Sequence, residues 1–139
     1  MAFIICEDDD YVDAAQFYAA KLNIPSDTII AIGLYQELDV AGYCVRKDTN
    51  EIPYYIIALD AAPEEGEEDP LSVLAHEMVH VKQYATGELV HKGKYCLWKG
   101  KKFDEFEANS DEYFFSPWEV EAFGMQVGLY RLYHRSTEE

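Results

Sequence analysis

Asp69-Pro-Leu-Ser-Val-Leu-Ala-His-Glu-Met-Val-His-Val-Lys-Gln-Tyr84 reads as one helix, and the rest of the chain has to be arranged around it. Asp69 suits the N-cap, Pro70 the first helical position and Gly87 the stop, which gives about 17 residues and roughly 25 Å. Leu71, Val73, Leu74, Ala75, Met78, Val79 and Val81 make this helix apolar on most sides, so it is expected to be buried. His76-Glu77-Met78-Val79-His80 lies inside it. Residues four apart share a helical face, so both imidazoles can aim a nitrogen at one metal ion. Glu77 stands beside the first histidine, within reach of that ion's surroundings without being a ligand. Buried histidines and a buried glutamate need partners, and one cation serves all three.

The 139 residues fit a single domain, 1–139, with one core. No apolar run approaches the length of a membrane span. The N-terminus turns acidic within seven residues and lacks the basic start of a secretory signal. Cys6, Cys44 and Cys96 are an odd number and widely spaced, which points to reduced thiols in a cytoplasmic protein. The net charge is −16. It is uneven: residues 1–70 carry sixteen acids against three bases, residues 71–139 eleven against eight. Six of the eleven lysines and arginines fall between Lys82 and Lys102. So acidic a chain is a poor binder of nucleic-acid backbone.

Around the motif helix the pattern alternates between strand and helix signals. Residues 2–6 form a short strand or an apolar lead-in. Asp10 to Leu22 reads as a helix with an apolar stripe, ended by Asn23 and Pro25. Three strands are expected at Thr28–Leu34, Val40–Arg46 and Tyr54–Leu59, with a turn at Lys47–Glu51 between the last two. Ala61 to Asp69 is an exposed acidic loop. Leu89 to Phe103 reads as a hairpin or irregular strand pair, with Lys99-Gly-Lys-Lys102 as a basic turn. A last helix starts near Ser116-Pro-Trp-Glu119 and runs to about Tyr133. Gly124 and Gly128 within it are expected to form a smooth face packed on another helix.

Zinc in a hydrolytic site takes three protein ligands and leaves one position open. His91, His134, Glu119 and Glu121 are candidates for the third, with Glu105, Glu107, Asp111 and Glu112 further back. Ser116-Pro-Trp-Glu119 has the form of a capping box, which would turn Glu119 back to the Ser116 amide. That leaves Glu121, beside small Ala122, as the favoured third ligand with His76 and His80. On this reading Glu121→Ala loses zinc and Glu119→Ala keeps it.

Leu74-Ala-His-Glu-Met-Val-His-Val-Lys-Gln-Tyr84, Trp98-Lys-Gly100 and Ser116-Pro-Trp-Glu-Val-Glu-Ala-Phe123 together resemble the small zinc metallopeptidases of gluzincin type, including short SprT-like peptidases of phages and bacteria. The resemblance covers about residues 70–130. It implies an α+β, minimal zincin-like fold: an N-terminal helix, a small mostly antiparallel sheet, the H-E-x-x-H helix, and a C-terminal helix carrying the third ligand. It also implies a Zn2+-dependent metallopeptidase acting on a peptide or protein substrate, in a bacterial cytoplasm or, if phage-encoded, that of the host. No further histidine stands where metzincins or SprT-like proteins proper place their third ligand, so a nucleic-acid partner is not carried over. In such a site Glu77 takes a proton from a metal-activated water and returns it to the leaving amine. Tyr113 is the favoured second donor to the oxyanion, Tyr84 and Tyr95 being alternatives. Tyr54–Leu59 offers a strand edge for an extended peptide. The expected species is a monomer with no membrane partner. A non-catalytic, zinc-stabilised binding or inhibitor protein is the competing class, and an amidase on non-peptide amides a third.

Overall fold

The computed structural model describes residues 2–49, 52–104, 106, 107 and 110–138. In chain order the elements are β1 (Phe3–Ile5), α1 (Asp9–Lys21), β2 (Ile29–Tyr35), β3 (Gly42–Thr49), β4 (Ile52–Asp60), α2 (Pro70–Ala85), β5 (Leu89–His91), β6 (Tyr95–Trp98), β7 (Lys101–Asp104), α3 (Asp111–Phe115) and α4 (Pro117–Thr137). The class is α+β, as expected.

Two sheets are present among the described residues. The larger has the order β1-β2-β4-β3, with β1, β2 and β4 mutually parallel and β3 antiparallel to β4. The smaller is an antiparallel β5-β6-β7 meander, where the sequence pointed to a strand pair. Three of the five strand pairings are thus antiparallel, but the larger sheet is mixed. The parallel β1–β2 step is made possible by α1, which carries the chain from one strand to the next. Strand β4 is interior and β3 is the edge, which corrects the reading of Tyr54–Leu59 as an edge strand. Tyr55, Ile57 and Leu59 alternate onto one face of β4 and are all buried. A central strand in this sequence reads much like an edge, since pairing order is set by distant segments.

Helix α2 packs on β3 and β4 with one side and on α1 and α4 with others. That is why ten of its sixteen residues are buried, including both histidines and Glu77. Its ends follow the sequence signals. Asp69 Oδ1 accepts the Leu71 amide at 2.9 Å, Pro70 opens the first turn, and Gly87 leaves the helix at φ +78°. Gly42 sets the approach of α2 to the edge strand. A Cβ there would lie 2.9 Å from Val73 Cγ1 and 3.0 Å from the Ala58 carbonyl, so only glycine allows this spacing.

Helix α4 lies across α2 and α1, and buries Trp118, Glu119, Ala122, Gln126, Leu129 and Tyr133. Gly124 and Gly128 fall on its solvent side, with nothing within 4 Å of a Cβ added to either. The expectation of a glycine face packed on another helix is therefore incorrect. Both glycines are out of phase with the buried stripe. The acidic loop is exposed, but its last residues dock on α4: Glu68 Oε2 accepts from Gln126 at 2.9 Å, and Asp69 Oδ2 from the Tyr130 hydroxyl at 2.7 Å.

Candidate metal centre

His76 and His80, one turn apart on α2, present their Nε2 atoms to a single carboxylate. Glu119 Oε1 lies 3.1 Å from His76 Nε2, and Glu119 Oε2 lies 3.1 Å from His80 Nε2. One ligand atom from each residue falls within 4.8 Å of the others, and all three residues are buried. The imidazole rings sit edge to face at 4.9 Å, and the Phe123 ring closes over His76 at 4.4 Å.

The outer hydrogen bonds fix which nitrogen of each ring is free. The Gln83 amide NH2 donates to the Trp118 carbonyl at 2.9 Å and to Glu121 Oε1 at 3.1 Å. The Gln126 NH2 donates to Glu68 Oε2 at 2.9 Å and to Ser72 Oγ at 3.1 Å. Both carboxylates and the carbonyl can only accept, so each amide must turn its oxygen to the histidine. Gln83 Oε1 meets His80 Nδ1 at 2.8 Å and Gln126 Oε1 meets His76 Nδ1 at 3.1 Å. Each Nδ1 therefore carries the proton, and each neutral ring has a bare lone pair at Nε2. Both lone pairs then face carboxylate oxygens, which are also acceptors only. The arrangement is favourable when a proton lies between a ring and the carboxylate, or when a cation sits among the three. Two imidazoles and one carboxylate, each imidazole fixed through its far nitrogen, are a donor set that fits a divalent metal ion.

Glu121, favoured from the sequence, is not in this group. Its Oε1 lies 3.2 Å from Lys82 Nζ and accepts from Gln83. Residues 119 and 121 are about 200° apart around a helix, and the buried stripe of α4 runs through 119. The capping box that was to occupy Glu119 is not formed: Ser116 makes no side-chain cap bond, and its hydroxyl donates instead to the Tyr113 carbonyl at 2.8 Å. The spacing 119, 122, 126, 129, 133 was the sequence signal that puts Glu119, rather than Glu121, on the buried face of α4. His91 is bonded through Nε2 to the Tyr84 hydroxyl at 2.9 Å, and His134 packs on Tyr130. Glu107, Asp111 and Glu112 are exposed, and Glu105 lies outside the described residues.

Glu77 is buried beside the group without joining it. It faces a cavity of ≈ 390 Å3, to which β3 contributes Tyr43 and Cys44 and the smaller sheet His91 and Tyr95. Tyr113 also lines this cavity. Burial pushes its hydroxyl pKa up, and the Glu119 and Glu77 carboxylates push it further. Tyr84, one turn beyond His80, stacks on Tyr55 and is held by His91. Gln83, Gln126 and Cys44 were missed from the sequence. Gln83 and Gln126 could have been found as polar residues on otherwise apolar faces, in phase with His80 and Glu119.

Three titrations set the behaviour of the metal-free site. Burial would raise the Glu119 carboxyl, but hydrogen bonds from His76 and His80 outweigh it and hold the pKa at about 2. Burial pulls His80 down, yet the bond to Glu119 and the charges of Glu77 and Glu119 carry it above its ordinary 6.5. Burial lifts Glu77 above 4.5, against the opposing charges of His80 and His76. A depressed acid stabilises above its unfolded value, so the Glu119 contribution is lost only as pH falls from 4.5 towards about 2. Raised groups act in the other sense. The His80 contribution is complete below 6.5 and is lost as pH rises through its folded value, and Glu77 adds a loss beginning near 4.5. Metal-free protein is expected to melt at progressively lower temperature above pH 6.5. Saturating metal reverses the trend, because the ion competes with protons for the same nitrogens. Thermal melts at several pH values, with and without chelator, check this; parallel curves would refute it.

The chain matches no family model, no curated protein and no solved structure. No helix among the described residues is long and apolar enough to cross a membrane.

Proposed function

We propose that the protein is a zinc-dependent metallopeptidase with His76, His80 and Glu119 as ligands and Glu77 as general base. The observation that carries this reading is the placement of Glu77. A carboxylate that is buried next to a ligand group, left out of it, and open to a cavity has no structural task there. A metal that only stabilised the fold would not need it.

Zinc, when bound, supplies a Lewis acid that polarises a carbonyl and makes water more acidic. Glu77 accepts a proton from water on its carboxylate and delivers it to the departing amine. Its raised pKa makes it a better proton acceptor than an ordinary carboxylate, as a group that takes a proton from water requires. Tyr113 donates its hydroxyl to the developing oxyanion, the burial-raised pKa keeping the proton in place. The strand that supports peptide docking is β3 rather than β4, because β3 is the sheet edge and lines the cavity.

The test is digestion of a mixed peptide library by zinc-loaded protein, read by mass spectrometry, with Glu77→Gln as control. Cleavage that depends on zinc and on Glu77 is expected. Stoichiometric zinc without cleavage of any peptide would overturn the peptidase reading in favour of a metal-stabilised binding protein.

A further inference from the structure

Glu68 closes the acidic loop and has no place in the chemistry just described. Its side chain nevertheless lies two hydrogen bonds from the centre, through a buried amide. The connection is continuous: Glu68 Oε2 accepts from Gln126 Nε2 at 2.9 Å, and Gln126 Oε1 meets His76 Nδ1 at 3.1 Å. Gln126 is almost fully buried, at 5% exposure, so its amide cannot turn to water for a replacement partner. Ser72 Oγ also accepts from this NH2, at 3.1 Å, but a hydroxyl can equally donate and so does not by itself decide which way the amide points. Glu68 does decide it, because a carboxylate at neutral pH only accepts. A reversed Gln126 would place NH2 against Nδ1 of His76 and force the bare lone pair onto that nitrogen. The proton would then sit on Nε2, the atom that faces Glu119.

We infer that Glu68 is a positioning residue for the metal centre, acting through Gln126 to keep the His76 Nε2 lone pair free for the ion. The acidic loop is thereby coupled to metal loading. Docking of Glu68 on Gln126 favours the ligating tautomer, and an ion bound to His76 favours the docked loop by the same factor. The adjacent Asp69–Tyr130 bond holds the loop end on the same helix, which keeps Glu68 within reach. On the opposite side of the centre Gln83 fixes His80 in the same way, and is itself turned by both Glu121 and the Trp118 carbonyl. Two glutamines, each turned by a carboxylate, present two Nε2 atoms at once.

This inference rests on the metal-centre reading, and its test separates the two. Zinc affinity is measured by chelator competition on wild type, Glu68→Ala, Glu68→Gln and Glu65→Ala, and the His76 tautomer is read by nitrogen-15 NMR on the metal-free proteins at alkaline pH, where the ring is neutral. Loss of an outer partner of a ligating histidine weakens metal binding by about 10–100-fold, so Glu68→Ala is expected to bind zinc at least about tenfold more weakly. Its His76 is expected to show a mixture of tautomers. Glu68→Gln can turn either its oxygen or its NH2 to Gln126, so it no longer decides the amide and should weaken zinc binding and mix the tautomers much as Glu68→Ala does. Glu65→Ala removes the same charge from the same loop without touching the relay, and should stay close to wild type. Equal weakening in Glu68→Ala and Glu65→Ala, or wild-type affinity and a single His76 tautomer in Glu68→Gln, would show that an accept-only group at 68 is not what orients Gln126 and overturn the inference. Failure of the wild type to bind zinc at all would remove the centre itself, and this coupling with it.

Discussion

Glu77→Gln protein is expected to hold its zinc as tightly as wild type and to lose peptide hydrolysis by about 10²–10⁴-fold, the usual contribution of a general base. The separation of the two effects follows from where Glu77 stands. The group that could hold the ion is His76, His80 and Glu119, and Glu77 is not part of it. An amide in its place fills the same volume at the same depth, so α2 has no reason to shift. What the amide cannot do is take a proton. The substitution also removes a charge whose burial is unfavourable, as the raised carboxyl pKa records, so the metal-free protein should be no less stable than wild type. Metal content by mass spectrometry, melting temperature and cleavage rate on one peptide measure all three effects. Cleavage within tenfold of wild type would remove Glu77 from the base role, and loss of zinc would make it a ligand.

How much of this was legible beforehand depended on how local each signal is. Helix α2 was read with its cap, its first proline and its terminating glycine, because each of these acts within a few residues of the helix end. The burial of α2 was equally legible, since an apolar surface on all sides has to be covered by something. The order β1-β2-β4-β3 was not, because strand neighbours are chosen by residues tens of positions away. Choosing between Glu119 and Glu121 was a question of helical phase. A plausible local motif, the capping box, was allowed to decide it, whereas the stripe through Ala122, Gln126, Leu129 and Tyr133 carries more weight because it buries a whole face. The two glutamines are marked only by helical phase, as polar residues on the buried faces of α2 and α4. Their role exists only where α2 and α4 cross.

Glu119→Ala is expected to abolish useful zinc binding, while Glu121→Ala retains it with a loss of about tenfold, as for an outer partner of a histidine ligand. The sequence alone pointed the other way, so the pair of variants discriminates between the two carboxylates directly. Glu119 supplies the negative charge of the group and touches both histidines at 3.1 Å. Structural zinc sites bind with an apparent free energy of about 10–16 kcal/mol, and losing one of three ligands at that scale is on the order of a thousandfold in affinity. Glu121 acts at one remove, through Gln83 on His80, and shares Lys82 with Glu88; without it the Trp118 carbonyl alone holds the Gln83 amide, which loosens one ring without opening the coordination shell. The metal-free forms give an independent check. In Glu119→Ala the bond and the charge of Glu119 no longer raise His80, which leaves only the Glu77 charge and the Gln83 bond to oppose burial. An NMR titration of His80 should therefore move to lower pH in Glu119→Ala. Zinc retained in Glu119→Ala and lost in Glu121→Ala would restore the sequence-based choice and refute the centre described here.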